Sequence, residues 1–145
     1  MLINIPRELK SYFTEQDFLN YPIIRIPQYF SDDRGDILNL AGGKLGDVAF
    51  ISSKKNSVRA NHYHKKDWHI CYLISGKAEY FWSEISNKME TKKINVLPGQ
   101  MIFTPNLIAH KFVFLEDTQF ITIAKLNRKK FFYDLDTIMM QSNNF

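Results

Sequence analysis

The sequence has 145 residues, 45% hydrophobic and 23% charged, which is enough for one domain with a sizeable core and excludes global disorder. The single cysteine, Cys71, excludes an internal disulfide and is typical of a reducing compartment. The net charge of +4 is spread in short basic pairs and no apolar run could span a bilayer, so we expect a cytoplasmic protein that binds neither nucleic acid nor membrane.

The first predicted element is a short helix over 6–20, with Pro6 near its start. Short runs rich in β-branched and aromatic residues follow, separated by turn-forming residues. They predict strands over 22–27, 36–41, 46–53, 69–75, 77–85, 89–96, 100–105, 110–115 and 118–125. Their close, regular spacing predicts an all-β sandwich or barrel, in a single domain over 1–145.

The last predicted element is a helix over 129–141. Its apolar residues recur at helical spacing: Phe131, Phe132, Leu135, Ile138 and Met139. We expect this apolar side to pack on the chain's own barrel. The alternative is an arm that crosses to a partner subunit.

Three of the four histidines lie close together in the sequence, and the fourth, His110, lies far downstream. His62 and His64 are two residues apart, so on a strand both side chains leave the same face. His69 begins the next predicted strand. If the two strands pair antiparallel across the turn at 65–67, three imidazoles meet at one interior point, and His110 can supply a fourth. The alternative is a set of hydrogen-bonded core histidines.

This spacing resembles the first motif of the cupin superfamily. His62, His64 and Gly76 match that motif, and His69 stands where a glutamate ligand is usual. Asn56 occupies a position that is usually glycine, and asparagine is a common substitute in the left-handed conformation. The resemblance implies a double-stranded β-helix, or jelly roll, with short terminal helices and with the ligands facing the barrel interior.

The second cupin motif is similar to the stretch that contains His110. Gly99, Pro105 and His110 match its spacing, whereas Leu107 replaces a glycine and Phe114 replaces an asparagine. The two motifs together cover 56–114.

The cupin resemblance implies a divalent transition metal, because neutral imidazole suits zinc, iron, nickel and copper. The implied ligands are His62, His64, His69 and His110. Histidine in place of glutamate leaves the ion with its full positive charge, which makes it a stronger Lewis acid. We expect Cys71 to be a small buried hydrophobe and not a soft ligand.

A second resemblance is to cupins that act on nucleotide sugars: the dTDP-4-dehydrorhamnose 3,5-epimerases, the 3,4-ketoisomerases and the metal-binding cupin domain of capsular polysaccharide assembly epimerases. The matching residues are Asp33, Arg34, Gly35, Arg59, His62, Tyr63, Pro105, Ala109, His110 and Phe112, with Ala60 where glycine is usual. This resemblance implies an epimerase or ketoisomerase that removes a proton next to a ketone, in the synthesis of surface-polysaccharide precursors. We expect the apolar cluster Tyr80, Phe81 and Trp82 to cover an interface between sheets, and the resemblance implies a homodimer that forms there.

The implied chemistry assigns roles to several residues. His62 would be the base if no metal binds, and Tyr72 or Tyr63 would return the proton. The groups that would steady the diphosphate of a nucleotide sugar are Arg34, Arg59 and Lys65. A metal-bound His62 is a poor base. Asp67 and Glu79 are then possible bases, although we expect both to be solvated charges at strand ends.

Two other functions fit the same residues. One is a histidine-ligated, metal-dependent dioxygenase, because imidazole ligands leave room for oxygen and substrate. The other is a non-catalytic module that binds a sugar or small acid in an aromatic-lined pocket. The fold alone does not decide between these functions.

Overall fold

The computed structural model describes residues 3–87 and 90–141. Its strands are β1 (Ile23–Ile24), β2 (Gln28–Asp32), β3 (Gly35–Asn39), β4 (Asp47–Ser53), β5 (Val58–His64), β6 (His69–Ser75), β7 (Ala78–Glu84), β8 (Lys92–Val96), β9 (Met101–Thr104), β10 (Ile108–Phe114), β11 (Thr118–Ala124) and β12 (Thr137–Met139). A 3₁₀ helix covers Glu15–Phe18, and the α-helix α1 covers Lys130–Asp136. Within the two described ranges, no helix is both long enough and apolar enough to cross a membrane.

Ten of these strands form two antiparallel five-stranded sheets. The first has the order β1-β9-β6-β11-β4 and the second β12-β5-β10-β7-β8, while β2 and β3 form a separate two-stranded ribbon. This is the all-β jelly roll expected from the sequence, so the fold prediction is confirmed. The strand predicted over 89–96 is observed as β8, and Met89 lies outside the described residues.

Two hydrophobic cores lie on either side of the first sheet. The core between the sheets contains Cys71, Leu73, Ala78, Tyr80, Val96, Ile102, Phe112, Phe114 and Phe120. The second core lies under the N-terminal segment and contains Ile5, Leu9, Phe13, Phe18, Ile24, Trp68, Ile70, Met101, Phe103 and Ile123. Because β6 and β9 are buried on both faces, their sequences are continuously apolar and do not alternate.

Tyr80 is part of the core between the sheets, as expected for its apolar cluster. Its side chain is fully buried, and its hydroxyl lies 2.7 Å from Oγ1 of Thr104. Phe81 and Trp82, the other two members of the cluster, are half-buried. Tyr80 itself is therefore not available to a second subunit.

The N-terminal segment does not form the helix predicted over 6–20. Thr14 adopts an extended backbone (φ −110°, ψ 165°), and its backbone N–H and its hydroxyl both donate to the carboxylate of Asp17. This capping arrangement begins a new 3₁₀ turn at Glu15 and separates it from the turns before it. Leu9 and Phe13 are nevertheless buried, as an irregular cover of the first sheet.

The C-terminal helix is shorter than predicted, and its apolar side faces solvent instead of the barrel. It ends at Asp136, and the β-branched pair Thr137 and Ile138 continues as β12, which pairs with β5. The apolar side chains of α1 are exposed (Phe131 69%, Phe132 52%, Leu135 58%), so the expected packing of this side on the barrel is wrong.

A bulge in β5 sets the direction of the histidines. Ala60 and Asn61 both have positive φ angles (66° and 59°), and the pairing of β5 with β10 shifts by one residue at this point. Such a bulge bends a strand and redirects its side chains. Ala60 stands at the usual glycine of the epimerase motif, which explains why glycine is favoured there. Asn56 is left-handed (φ 67°), as the sequence predicts.

Candidate active site

The four histidines meet inside the barrel. His62 and His64 come from β5, His69 from β6 and His110 from β10, and each is at most 7% exposed. The ring centroids of His62 and His64 are 4.6 Å apart, those of His62 and His110 are 4.8 Å apart, and those of His64 and His69 are 4.4 Å apart. The predicted convergence of the imidazoles is therefore present, because β5 lies beside β10 in one sheet and faces β6 of the other.

Three of the histidines form a group suited to a metal ion. One ring nitrogen from each of His62, His64 and His110 lies within 4.8 Å of the other two. Nδ1 of His64 donates to Asp136 (3.2 Å), and Nδ1 of His110 donates to the carbonyl of Ile108 (3.0 Å). Such partners fix the tautomer that leaves Nε2 free to bind a metal. The buried Nε2 of His64 has no hydrogen-bond partner among the described residues, so the donor set fits an ion.

His69 is held differently from the other three. Its Nε2 lies 2.9 Å from Oδ2 of Asp67, whose Oδ1 accepts the backbone N–H of Leu126. Both His69 and Asp67 are buried. An imidazole that donates to a buried carboxylate can accept a proton at its other nitrogen. His64 and His69 are therefore both bound to buried carboxylates, and His64, Asp67 and His69 form a second group whose ligand atoms lie within 4.8 Å of one another.

Burial keeps all four rings uncharged. It lowers the pKa of His62 to about 2, with repulsion from the neighbouring rings as the next cause. It lowers the pKa of His64, His69 and His110 to about 3 in each case. At neutral pH these imidazoles are uncharged and offer lone pairs, as metal ligands require.

A cavity of about 250 Å³ opens beside the cluster. Its lining residues include His62, His69, His110, Arg59, Arg128, Tyr133, Cys71, Thr104, Phe112, Phe120 and Thr122. No aspartate or glutamate is among the described residues that line it. His64 is not among the residues that line the cavity. The cavity is therefore small, partly aromatic and positively charged.

Only one of the three predicted diphosphate ligands lines this cavity. Arg59 does so, and its guanidinium donates to Oγ of Ser53 (2.5 Å) and to the carbonyl of Ser52 (3.0 Å). Lys65 instead donates to the carbonyl of Leu135, outside the cavity lining. Arg34 is exposed in the β2–β3 turn, where it pairs with Asp32. The structure therefore does not bring Lys65 or Arg34 to the cavity within one chain.

Neither tyrosine expected to return a proton lines the cavity. Tyr63 lies between His62 and His64 on β5, and Tyr72 follows Cys71 on β6. Because side chains alternate along a strand, each points away from the residues beside it that face the interior. Tyr72 packs instead against the core under the N-terminal segment. These two placements correct the sequence-based assignment.

The structure contradicts the prediction for Asp67 and agrees with the predictions for Glu79 and Cys71. Asp67 is buried, so the expectation that it is a solvated strand-end charge is wrong. Glu79 lies on the barrel surface and accepts a hydrogen bond from Lys93 (2.7 Å), consistent with the expected structural role. Cys71 is a buried core residue, as predicted, and burial raises the pKa of its thiol to about 12.

The sequence analysis missed three groups that follow the last barrel strand. Arg128 and Tyr133 line the cavity, and the Tyr133 hydroxyl lies 3.4 Å from Nδ1 of His62. Asp136 lies against His64 and also accepts the backbone N–H of Lys66. Tyr133 and Asp136 are three residues apart and so share one side of α1. This three-residue spacing could have predicted that the two polar side chains lie together. The apolar residues of the segment instead predicted a buried side of the helix.

Comparisons with known proteins find solved structures with a similar fold. No protein-family model matches the chain, and no curated protein sequence matches it significantly. A dTDP-4-dehydrorhamnose 3,5-epimerase from Sulfolobus tokodaii superposes with a TM-score of 0.65 and 21% identity, over 88% of this chain and 81% of that chain. QdtA, a sugar 3,4-ketoisomerase from Thermoanaerobacterium thermosaccharolyticum in complex with TDP, superposes with a TM-score of 0.67 and 16% identity, over 87% and 93%.

A third solved structure is the capsular polysaccharide assembling protein CapF from Staphylococcus aureus. It has a TM-score of 0.60 and 20% identity, and the match covers 90% of this chain but only 35% of that protein. All three are among the proteins that the sequence motifs resemble. At these identities the likeness concerns the fold alone, and the chain shares the double-stranded β-helix of these structures.

Proposed function

We propose that this protein is a nucleotide-sugar epimerase or ketoisomerase that moves a proton next to a ketone. The observation that carries the proposal is the buried group of neutral histidines that opens onto a small, positively charged cavity. Solved proteins with this fold include a 3,5-epimerase and 3,4-ketoisomerases, one of them in complex with TDP-4-keto-6-deoxyglucose. We extend the proposal to the synthesis of surface-polysaccharide precursors in the cytoplasm.

His62, His64 and His110 would hold a divalent transition metal in this proposal. Their nitrogens lie close together, and the Nδ1 atoms of His64 and His110 are already engaged by second partners. When bound, the ion would supply Lewis-acid polarisation of the ketone oxygen. His69 lies outside this group of three, so the proposal leaves its second ring nitrogen free for a proton.

Two other groups then carry the proton. His69 accepts it from the carbon next to the ketone, and Asp67 stabilises the imidazolium that forms. Tyr133 returns a proton, since burial raises its pKa and keeps its hydroxyl protonated. Both side chains line the cavity. This division removes the conflict that arises if His62 is both a ligand and the base.

Proton exchange tests this function. Incubation with TDP-4-keto-6-deoxyglucose in heavy water is expected to place deuterium at C3 or C5 of the sugar, which NMR detects. Replacing His69 with glutamine is expected to slow labelling by about 10²- to 10⁴-fold, the usual contribution of a general base. Glu79→Gln, on the outer surface, serves as the control and keeps the rate. Tight TDP binding without label from any 4-keto nucleotide sugar would favour the binding module instead.

We also propose that the protein forms a homodimer and that the two copies associate through the β2–β3 ribbon. Tyr29, Phe30 and Ile37 on this ribbon are 62%, 54% and 56% exposed. A two-stranded ribbon is marginally stable alone, and large exposed side chains of this kind mark interaction surfaces. A second copy of the chain would cover them.

Light scattering after gel filtration measures this association. The unchanged chain is expected to have the mass of a dimer, and the double variant Phe30→Glu, Ile37→Glu the mass of a monomer. Phe131→Glu, on the exposed side of α1, is the matched control and keeps the dimer. A double variant with the same mass as the unchanged chain contradicts association through the ribbon.

A further inference from the structure

The described residues that line the cavity beside the histidines carry a net positive charge. Two guanidinium groups, Arg59 and Arg128, line it, and no carboxylate does among the described residues. The histidines add no negative charge, and the hydrogen bonds of Arg59 go to uncharged oxygens of Ser53 and Ser52. A half-enclosed cavity with this balance attracts anions and raises their local concentration.

Arg128 is held in place by its backbone while its guanidinium remains incompletely paired. Oδ2 of Asp47 accepts the backbone N–H of Arg128 at 3.2 Å. Oδ1 of Asp47 lies 3.9 Å from Nε of Arg128, which is too far for a hydrogen bond. That Nε is buried and has no hydrogen-bond partner in the described part of the chain. A buried donor of this kind costs free energy until a ligand oxygen accepts from it.

The guanidinium of Arg128 also lies close to the histidines. Arg128, His62 and His69 line the same cavity of about 250 Å³. A space of this size is below the usual range for drug-sized ligands, so it suits a sugar-sized group and its immediate substituent. An anion that reaches Arg128 is therefore carried on, or directly attached to, the group that meets the histidines.

We infer that Arg128, together with Arg59, forms a binding site for an anionic group of the ligand, either a phosphoryl group or a carboxylate. The planar guanidinium fork matches the paired oxygens of both groups. Asp47 orients the backbone of Arg128 but accepts no hydrogen bond from its Nε. This inference concerns binding alone and stands or falls separately from proton exchange.

Isothermal titration of metal-free protein tests this site with three probes: TDP, inorganic phosphate and glucuronate. Arg128→Met is expected to weaken binding of the preferred probe by about 10-fold or more, since hydrogen bonds to charged groups contribute at this level. Arg128→Lys is expected to recover part of the affinity, because it keeps the charge and loses the fork. Arg7→Met, an exposed arginine of the N-terminal segment, is the matched control and binds like the unchanged protein.

The probes distinguish the two sources of the anion. Loss of TDP and phosphate binding in Arg128→Met assigns a phosphoryl group, whereas loss of glucuronate binding assigns a carboxylate. If Arg128→Met does not fold, as judged by its melting curve, Asp47→Asn decides: removing the competing carboxylate is expected to tighten binding by a few-fold. The inference is overturned if none of the three probes binds the unchanged protein, or if the folded Arg128 variants bind all three equally well.

Discussion

Replacing His64 with alanine is expected to lower the transition-metal content of the purified protein from about one ion per chain to almost none. His64 is central to the group of three, because its Nε2 is buried without a partner while Asp136 and Thr137 engage its Nδ1. Alanine removes the nitrogen and leaves two ligands, which is too few to hold an ion in a cavity. Elemental analysis of the purified variants measures the effect.

A matched substitution distinguishes three ligands from four. His69→Gln is expected to keep the metal, because His69 lies outside the group formed by His62, His64 and His110. Asp136→Asn is expected to weaken metal affinity by about 10- to 100-fold, the usual effect of losing a residue that orients a ligand. An unchanged metal content in the alanine variant would show that His64 is not a ligand. Loss of metal in His69→Gln would restore the four-histidine site expected from the sequence.

Acidification is expected to destabilise the metal-free protein by several kcal/mol between pH 7 and pH 5. The four histidines are buried with lowered pKa values of about 2 to 3, whereas in the unfolded chain they titrate near 6.5. Between these values the unfolded chain binds protons that the folded chain does not bind. The free energy of unfolding therefore falls as the pH falls through this window.

Each histidine contributes a loss of about 2 kcal/mol over this range, which is large beside the 5–15 kcal/mol of a typical domain. Asp67 acts in the opposite direction, because burial raises its pKa and favours its protonated form at low pH. One carboxyl offsets only part of the effect of four rings. Urea denaturation at several pH values, with a chelator present, measures the slope.

The variant His62→Gln provides the control for this slope. It removes one of four titrating rings and is expected to reduce the pH dependence by about a quarter. Equal unfolding free energies at pH 7 and pH 5 would contradict the uncharged state of the rings.

The sequence predicts the fold and the meeting of the histidines because both depend on strand periodicity. His62 and His64 share a face by alternation, and His69 reaches them because its strand faces theirs. The left-handed Asn56 also follows from a local rule, namely which residues tolerate positive φ. These features require no knowledge of distant contacts.

The sequence fails where local rules conflict or tertiary contacts decide. Tyr63 matches an epimerase motif, and the hydroxyl of Tyr72 was a candidate proton donor. Each tyrosine follows an inward-facing residue on its strand, so its side chain points away from the barrel interior. The apolar residues of α1 predict burial on that side, but Asp136 turns the helix by engaging His64 and the backbone of β5–β6. A single buried carboxylate with several donors outweighs an apolar stripe only seven residues long.

The segment that follows β11 supplies Arg128, Tyr133 and Asp136, whereas the barrel strands supply the imidazoles. Hydrogen bonds and the short strand β12 hold this segment on the barrel, and the apolar side chains of its helix are exposed to solvent. The imidazoles and these three other groups are thus encoded in separate stretches of polypeptide. The surroundings of the imidazoles can diverge by exchange of this one short stretch, with the pairing of the other nine strands of the two large sheets left intact.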